Sequence, residues 1–168
     1  MAPFPGPTTP QPDLAATLLG YLDYFREVVA STVSELDEDA VRRSILPSGW
    51  SPLELAYHLA HVERRWLDWG FEGLDVRDPW ADSVDDRWHV PDDRSREDVV
   101  QLLRSRAPRA REVVESHALD ERGAPGERWD GAPPATLERV LLHLVQEYAR
   151  HCGHLDIVRE LSDGVTGE

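Results

Sequence analysis

An all-α fold, a bundle of four long helices, is what this sequence predicts, and three observations predict it. Apolar residues recur at three- and four-residue spacing over most of the chain. Helix-start signals stand where those runs begin, with Gly- and Pro-bearing connections between them. No stretch alternates apolar and polar residues as a strand does, and no internal repeat is found. Four long helical segments with connections on this scale suit a four-helix bundle. The 168 residues, 40% of them apolar, are enough for one domain with a real core, expected over residues 13–168.

The elements follow in order. Residues 1–12 are proline-rich and are expected to form a flexible, extended N-terminal arm. From Asp13, a plausible N-cap, Leu14, Leu18, Leu22, Phe25 and Val29 carry a helical period to about Val33. A short helical turn is predicted between Asp37 and Ile45, and a loop at Leu46 to Gly49. Ser51-Pro52-Leu53-Glu54 combines an N-cap, a proline in the first turn and a capping-box glutamate, so a second long helix runs to about Trp69, with Gly70 ending it. Residues 71–94 have no clear period but carry Trp80, Trp88 and His89, and are expected to lie over the bundle as a partial lid. A third long helix starts at Ser95 and runs to about His117, with Pro108 expected to kink or split it. After a Gly- and Pro-bearing connection with Trp129, the last helix spans about Thr136 to Leu161.

Charge excludes some functions. The net charge is −14, and the basic residues are all arginine. A nucleic-acid partner needs a positive field, so it is not expected. No apolar run approaches the length of a membrane span, and the N-terminus lacks the basic and apolar regions of a secretory signal. A cytoplasmic protein is the expectation. The single cysteine, Cys152, cannot form an internal disulfide and reads as a buried, inert thiol.

The chemistry concentrates in two helices. His58 and His61 lie in the second long helix, and His143, Glu147, His151 and His154 in the last. At about 100° per residue, His154, Glu147 and His151 fall roughly 20°, 40° and 80° from His143, on one face beside Val140 and Leu144. His143 and His151 are about 12 Å apart along the axis, too far to share an ion easily. Three pairings remain open: His143 with Glu147, Glu147 with His151, or His151 with His154. Any of them, joined by an imidazole from the facing helix, makes an N/O donor set suited to zinc or a nickel-like ion, with positions left open.

Two segments carry a family likeness. SGWSPLELAYHLAHVERRWLDWG (48–70) and HLVQEYARHCGHLDIVRELSDG (143–164) resemble the signature segments of the DinB-like superfamily, and in particular its actinobacterial branch. The likeness extends from about Asp13 to Gly164. It implies a four-helix bundle with a metal site between helices. It also implies kinship with mycothiol-dependent maleylpyruvate isomerase and bacterial thiol S-transferases. In that light His58 is similar to the metal-ligand histidine that follows a tryptophan at this spacing, here Trp50. Glu147 and His151 match the Glu and His four residues apart that supply the other two ligands. Many members carry His where Glu147 stands, so the chain looks like a His-Glu-His variant. His154 falls where many members carry Gln, outside that ligand set. His61, Glu63, Arg150, Asp156 and Arg159 also match the branch; His61, His154 and Arg150 are candidates for supporting the ligands or touching substrate. The isomerase's extra C-terminal domain has no counterpart here.

The resemblance implies a metal-dependent S-transferase or isomerase that joins a low-molecular-weight thiol of the mycothiol type to a small electrophile. Its cofactor would be one divalent ion, zinc or nickel. A homodimer is compatible with this reading. A non-catalytic metal-binding stress module and a metal-dependent hydrolase are the alternatives.

Overall fold

The computed structural model describes residues 4–167. Among the described residues its long elements are all helices, with one small hairpin in a connection. Helix α1 spans Leu14–Glu35, and Asp13 caps it by accepting from the Ala16 amide at 2.8 Å. The short α2, Glu38–Arg42, is capped in the same way by Asp37. Helix α3 spans Pro52–Glu63 and continues as a π-helical segment, Arg64–Phe71. Helix α4 spans Arg96–Ser116 and α5 spans Leu137–Asp163. The four long helices form a ring in which α1 and α3 each pack against both α4 and α5. Among the described residues no helix is long and apolar enough to cross a membrane.

The core follows the helical period. Leu22, Val29 and Val33 of α1 meet Leu55 and Leu59 of α3, Leu103 and Val113 of α4, and Leu141, Leu144 and Leu155 of α5, in one buried cluster. Each such side chain contributes about 1.5–3 kcal/mol by leaving water. One polar unit sits inside this apolar ring. Glu63 is completely buried, and Arg26 donates to its two oxygens from Nε and Nη2, both at 3.0 Å. The Tyr148 hydroxyl donates to Glu63 Oε1 at 2.5 Å. Burial alone would disfavour the Arg26 charge, but Glu63 beside it keeps the guanidinium ionised; burial and the same carboxylate hold Tyr148 protonated. These three residues tie α1, α3 and α5 together.

Three expectations need correction. The second long helix does not stop at Gly70. That glycine lies inside the π-helical segment, where a Cβ would stand 3.1 Å from the Arg65 carbonyl oxygen and 3.2 Å from Arg128 Cγ. It is small because another segment passes close by. Pro108 does not split α4, because it lies on the exposed side, where water can satisfy the carbonyl that a proline leaves free. Residues 71–94 contain two antiparallel strands, β1 (Ser83–Val84) and β2 (Arg87–Trp88). Asp85 and Asp86 turn between them with φ of 51° and 59°, the left-handed pair that a two-residue hairpin requires. Phe4, in the N-terminal arm, packs edge-on against Tyr21 and Tyr24 of α1; residues 1–3 of that arm lie outside the described residues.

Candidate metal centre

The capping box at Ser51 sets where α3 begins. Ser51 accepts from the Glu54 amide, and Glu54 accepts from the Ser51 amide at 2.7 Å. From that start, His58 falls on the side of α3 that faces α5. Glu147 and His151 lie four residues apart on α5, one turn along the same face. His151 Nε2 is 3.5 Å from Glu147 Oε2, and the His58 and His151 ring centres are 5.7 Å apart. A ligand atom from each of the three residues lies within 4.8 Å of the other two. His151 is buried, whereas His58 and Glu147 are partly exposed, so the group opens to solvent on one side.

Donor chemistry fits a divalent ion. Tetrahedral ligands at about 2.0–2.1 Å from zinc stand roughly 3.3 Å from one another, so the group would close by a fraction of an ångström to about 1.5 Å. His151 Nδ1 is buried and has no hydrogen-bond partner among the described residues. Burial, and then the neighbouring His58, lower the His151 pKa to about 4, so the ring is neutral near pH 7 and offers a lone pair.

The connection after α3 supplies a support that sequence reasoning missed. His58 Nδ1 and Asp82 Oδ2 are 2.8 Å apart. Arg65 donates to both Asp82 oxygens, at 2.5 and 3.1 Å. Burial would raise the Asp82 pKa, but the hydrogen bonds from His58 and Arg65 prevail and lower it to about 2. An ionised Asp82 accepts the Nδ1 proton and leaves His58 Nε2 as the nitrogen with a free lone pair. Trp88 of β2 stacks on the His58 ring at 4.1 Å and meets His151 edge-on at 5.3 Å. The expected lid is therefore a wall, built from Trp88 and Asp82. Trp80 lies beneath the Arg65 guanidinium, 4.5 Å from it. Beside His58 and this wall is a cavity of about 580 Å³, also bordered by Asp85 and Asp86.

Of the remaining candidates, His143 and His154 stand beside the group. His143 Nε2 is 3.8 Å from Glu147 Oε1, and its ring packs on Trp66. His61 is buried, with Nδ1 3.0 Å from the Tyr57 carbonyl oxygen and its ring on Tyr57. The His154 ring lies 5.5 Å from His151 and 6.3 Å from Trp50. Arg150 is exposed on α5. Arg159 pairs with Glu35 at 2.7 Å, tying α5 to α1. Cys152 is buried, and burial pushes its thiol up to about 12.

A family model described as Mycothiol-S-transferase matches residues 17–164. No curated protein matches the chain.

Proposed function

The chain belongs to the mycothiol-S-transferase family, a DinB-like one, and from that premise we propose that it is a metal-dependent enzyme transferring a mycothiol-type thiol to a small electrophile. His58, Glu147 and His151 would hold one divalent ion, zinc or a nickel-like metal. The observation that carries this reading is the three-donor group, drawn from two neighbouring helices and open to solvent on one side. An ion bound there would lower the pKa of a coordinated thiol and so favour its nucleophilic thiolate.

The protein's own residues then have distinct tasks. Asp82, held by Arg65, fixes the ring plane and tautomer of His58. Trp88 covers one side of both imidazoles and keeps bulk water from that face. Cys152 is not the nucleophile, because a buried thiol raised to about 12 is protonated at neutral pH. The sulfur therefore comes from outside the protein.

Thiol consumption tests this reading. Zinc-loaded protein should accelerate loss of free mycothiol in the presence of small electrophiles, and chelation should abolish the acceleration. Cys152→Ser should retain it. Acceleration that survives chelation, or that disappears in Cys152→Ser with fold and metal intact, would count against the proposal. Hydrolysis of the electrophile without thiol would favour a hydrolase instead.

A further inference from the structure

A second cavity, of about 590 Å³, lies beside His143, one turn of α5 from Glu147. Trp66, Trp129, Val140 and His143 line it, with Arg122 and Arg139 at its edge. His143 is the link, since it borders both this cavity and Glu147. Arg128 does not itself line the cavity, but its guanidinium lies over the ring of Trp66, which does, 3.7 Å from the ring centre.

Arg128 is the unusual residue. It is half-buried, and its Nε is buried without a partner. It makes no hydrogen bond or ion pair with any described residue, although the chain holds 32 acidic side chains. Burial, and then the positive charge of Arg65, disfavour its own charge. The Trp66 ring beneath it offsets part of the cost of desolvating this guanidinium, and a counter-charge from outside the chain would offset the rest. Arg139 likewise has no hydrogen-bond or ion-pair partner among the described residues, and Arg122 donates only to the Pro134 carbonyl oxygen at 2.8 Å. No carboxylate borders this cavity among the described residues, whereas Asp82, Asp85 and Asp86 border the cavity beside His58. Arg65 answers Asp82 in the cavity beside His58, so the surplus negative charge there is that of Asp85 and Asp86, and an anion is favoured more beside Arg122 and Arg139.

We propose that the cavity bounded by Trp66, Trp129 and His143 seats the electrophilic substrate. The substrate it favours has a flat apolar body and a negatively charged group, such as an aryl carboxylate, paired by Arg128 with help from Arg139. The aromatic walls take the body, and the guanidinium takes the charge. This inference rests on the thiol-transferase reading only for the word electrophile; the binding itself needs no turnover.

Calorimetric titration with 2-naphthoate and its neutral analogue 2-naphthylmethanol tests it, on both chelated and zinc-loaded protein. Naphthoate should bind about tenfold or more tightly than the alcohol in both forms. Arg128→Gln should bring the two within about twofold, with an unchanged circular dichroism spectrum. Arg139→Gln should narrow the gap partially and serves if the first variant fails to fold. Equal binding of acid and alcohol by the wild type would overturn the proposal. So would a preference that survives Arg128→Gln, or one that vanishes when zinc is removed, which would place the carboxylate on the metal. Failure of the transferase reading would appear separately, in thiol consumption, with this preference intact.

Discussion

Elemental analysis of His58→Ala and His151→Ala should find metal content reduced from close to a single ion per chain to near zero. Each variant removes one of three protein donors, and the two that remain cannot hold zinc against dilution. Asp82→Asn is the more informative variant. It keeps the size of the side chain but removes the charge that orders His58 and answers Arg65. Loss of such a support typically costs about 10–100-fold in metal affinity. Competition with a chromophoric chelator would read that change. His143→Ala should retain the metal, because His143 lies one turn beyond Glu147. Full occupancy in both His58→Ala and His151→Ala would remove the proposed site. Loss in His143→Ala with retention in Glu147→Ala would move it one turn along α5.

Chemical denaturation of Glu63→Ala should show the largest stability loss. The substitution leaves the Arg26 guanidinium buried with only the half-buried Asp23, at 2.7 Å, in place of its bidentate partner, and the Tyr148 hydroxyl without its acceptor. Breaking a buried pair from one side costs about 3–5 kcal/mol. At roughly 2–4 °C per kcal/mol for a chain of this size, the melting point should fall by about 6–20 °C. The double variant Arg26→Met, Glu63→Leu should recover much of this, since apolar groups of similar volume remove the charges together. A loss below about 1 kcal/mol in Glu63→Ala would mean the carboxylate is not the tie between α1, α3 and α5. Glu63 and Tyr148 also fix how α3 and α5 lie against each other, so Glu63→Ala should weaken metal retention as well.

Part of this was legible in the sequence. The four long helices were, because their apolar periods and caps at Asp13, Ser51 and Ser95 are local signals that the packing agrees with. The face that carries Glu147 and His151 was legible for the same reason: helical pitch alone aligns residues four apart. Pitch left three pairings open on α5, and the family likeness singled out His58, Glu147 and His151. The supports were not legible. Asp82 is one aspartate among many in residues 71–94, and only the tertiary fold places it against His58 and Arg65. The π-helical turn that aims Arg65 and Trp66 has no local signature, since the same residues suit an α-helix. Gly70 read as a terminator because its true constraint, the approach of Arg128, comes from a segment distant in sequence. The hairpin was invisible because two-residue strands are too short to alternate, and Asp85-Asp86 is not a usual turn pair.

Cobalt would make visible an ion, held by the metal-ligand group, whose open position takes an external thiol. Protein loaded with cobalt should be titrated with mycothiol and other small thiols while near-ultraviolet absorption and Trp fluorescence are recorded. Thiolate coordination should produce a strong sulfur-to-cobalt charge-transfer band and quench the fluorescence of Trp88. Apparent thiol affinity should climb with pH, because the thiolate is the form that binds the ion. A closed structural site would give no new band. The band, the quenching and the rise with pH are the expected results; no change in the cobalt spectrum with any thiol at millimolar concentration would rule out a thiol-binding metal site.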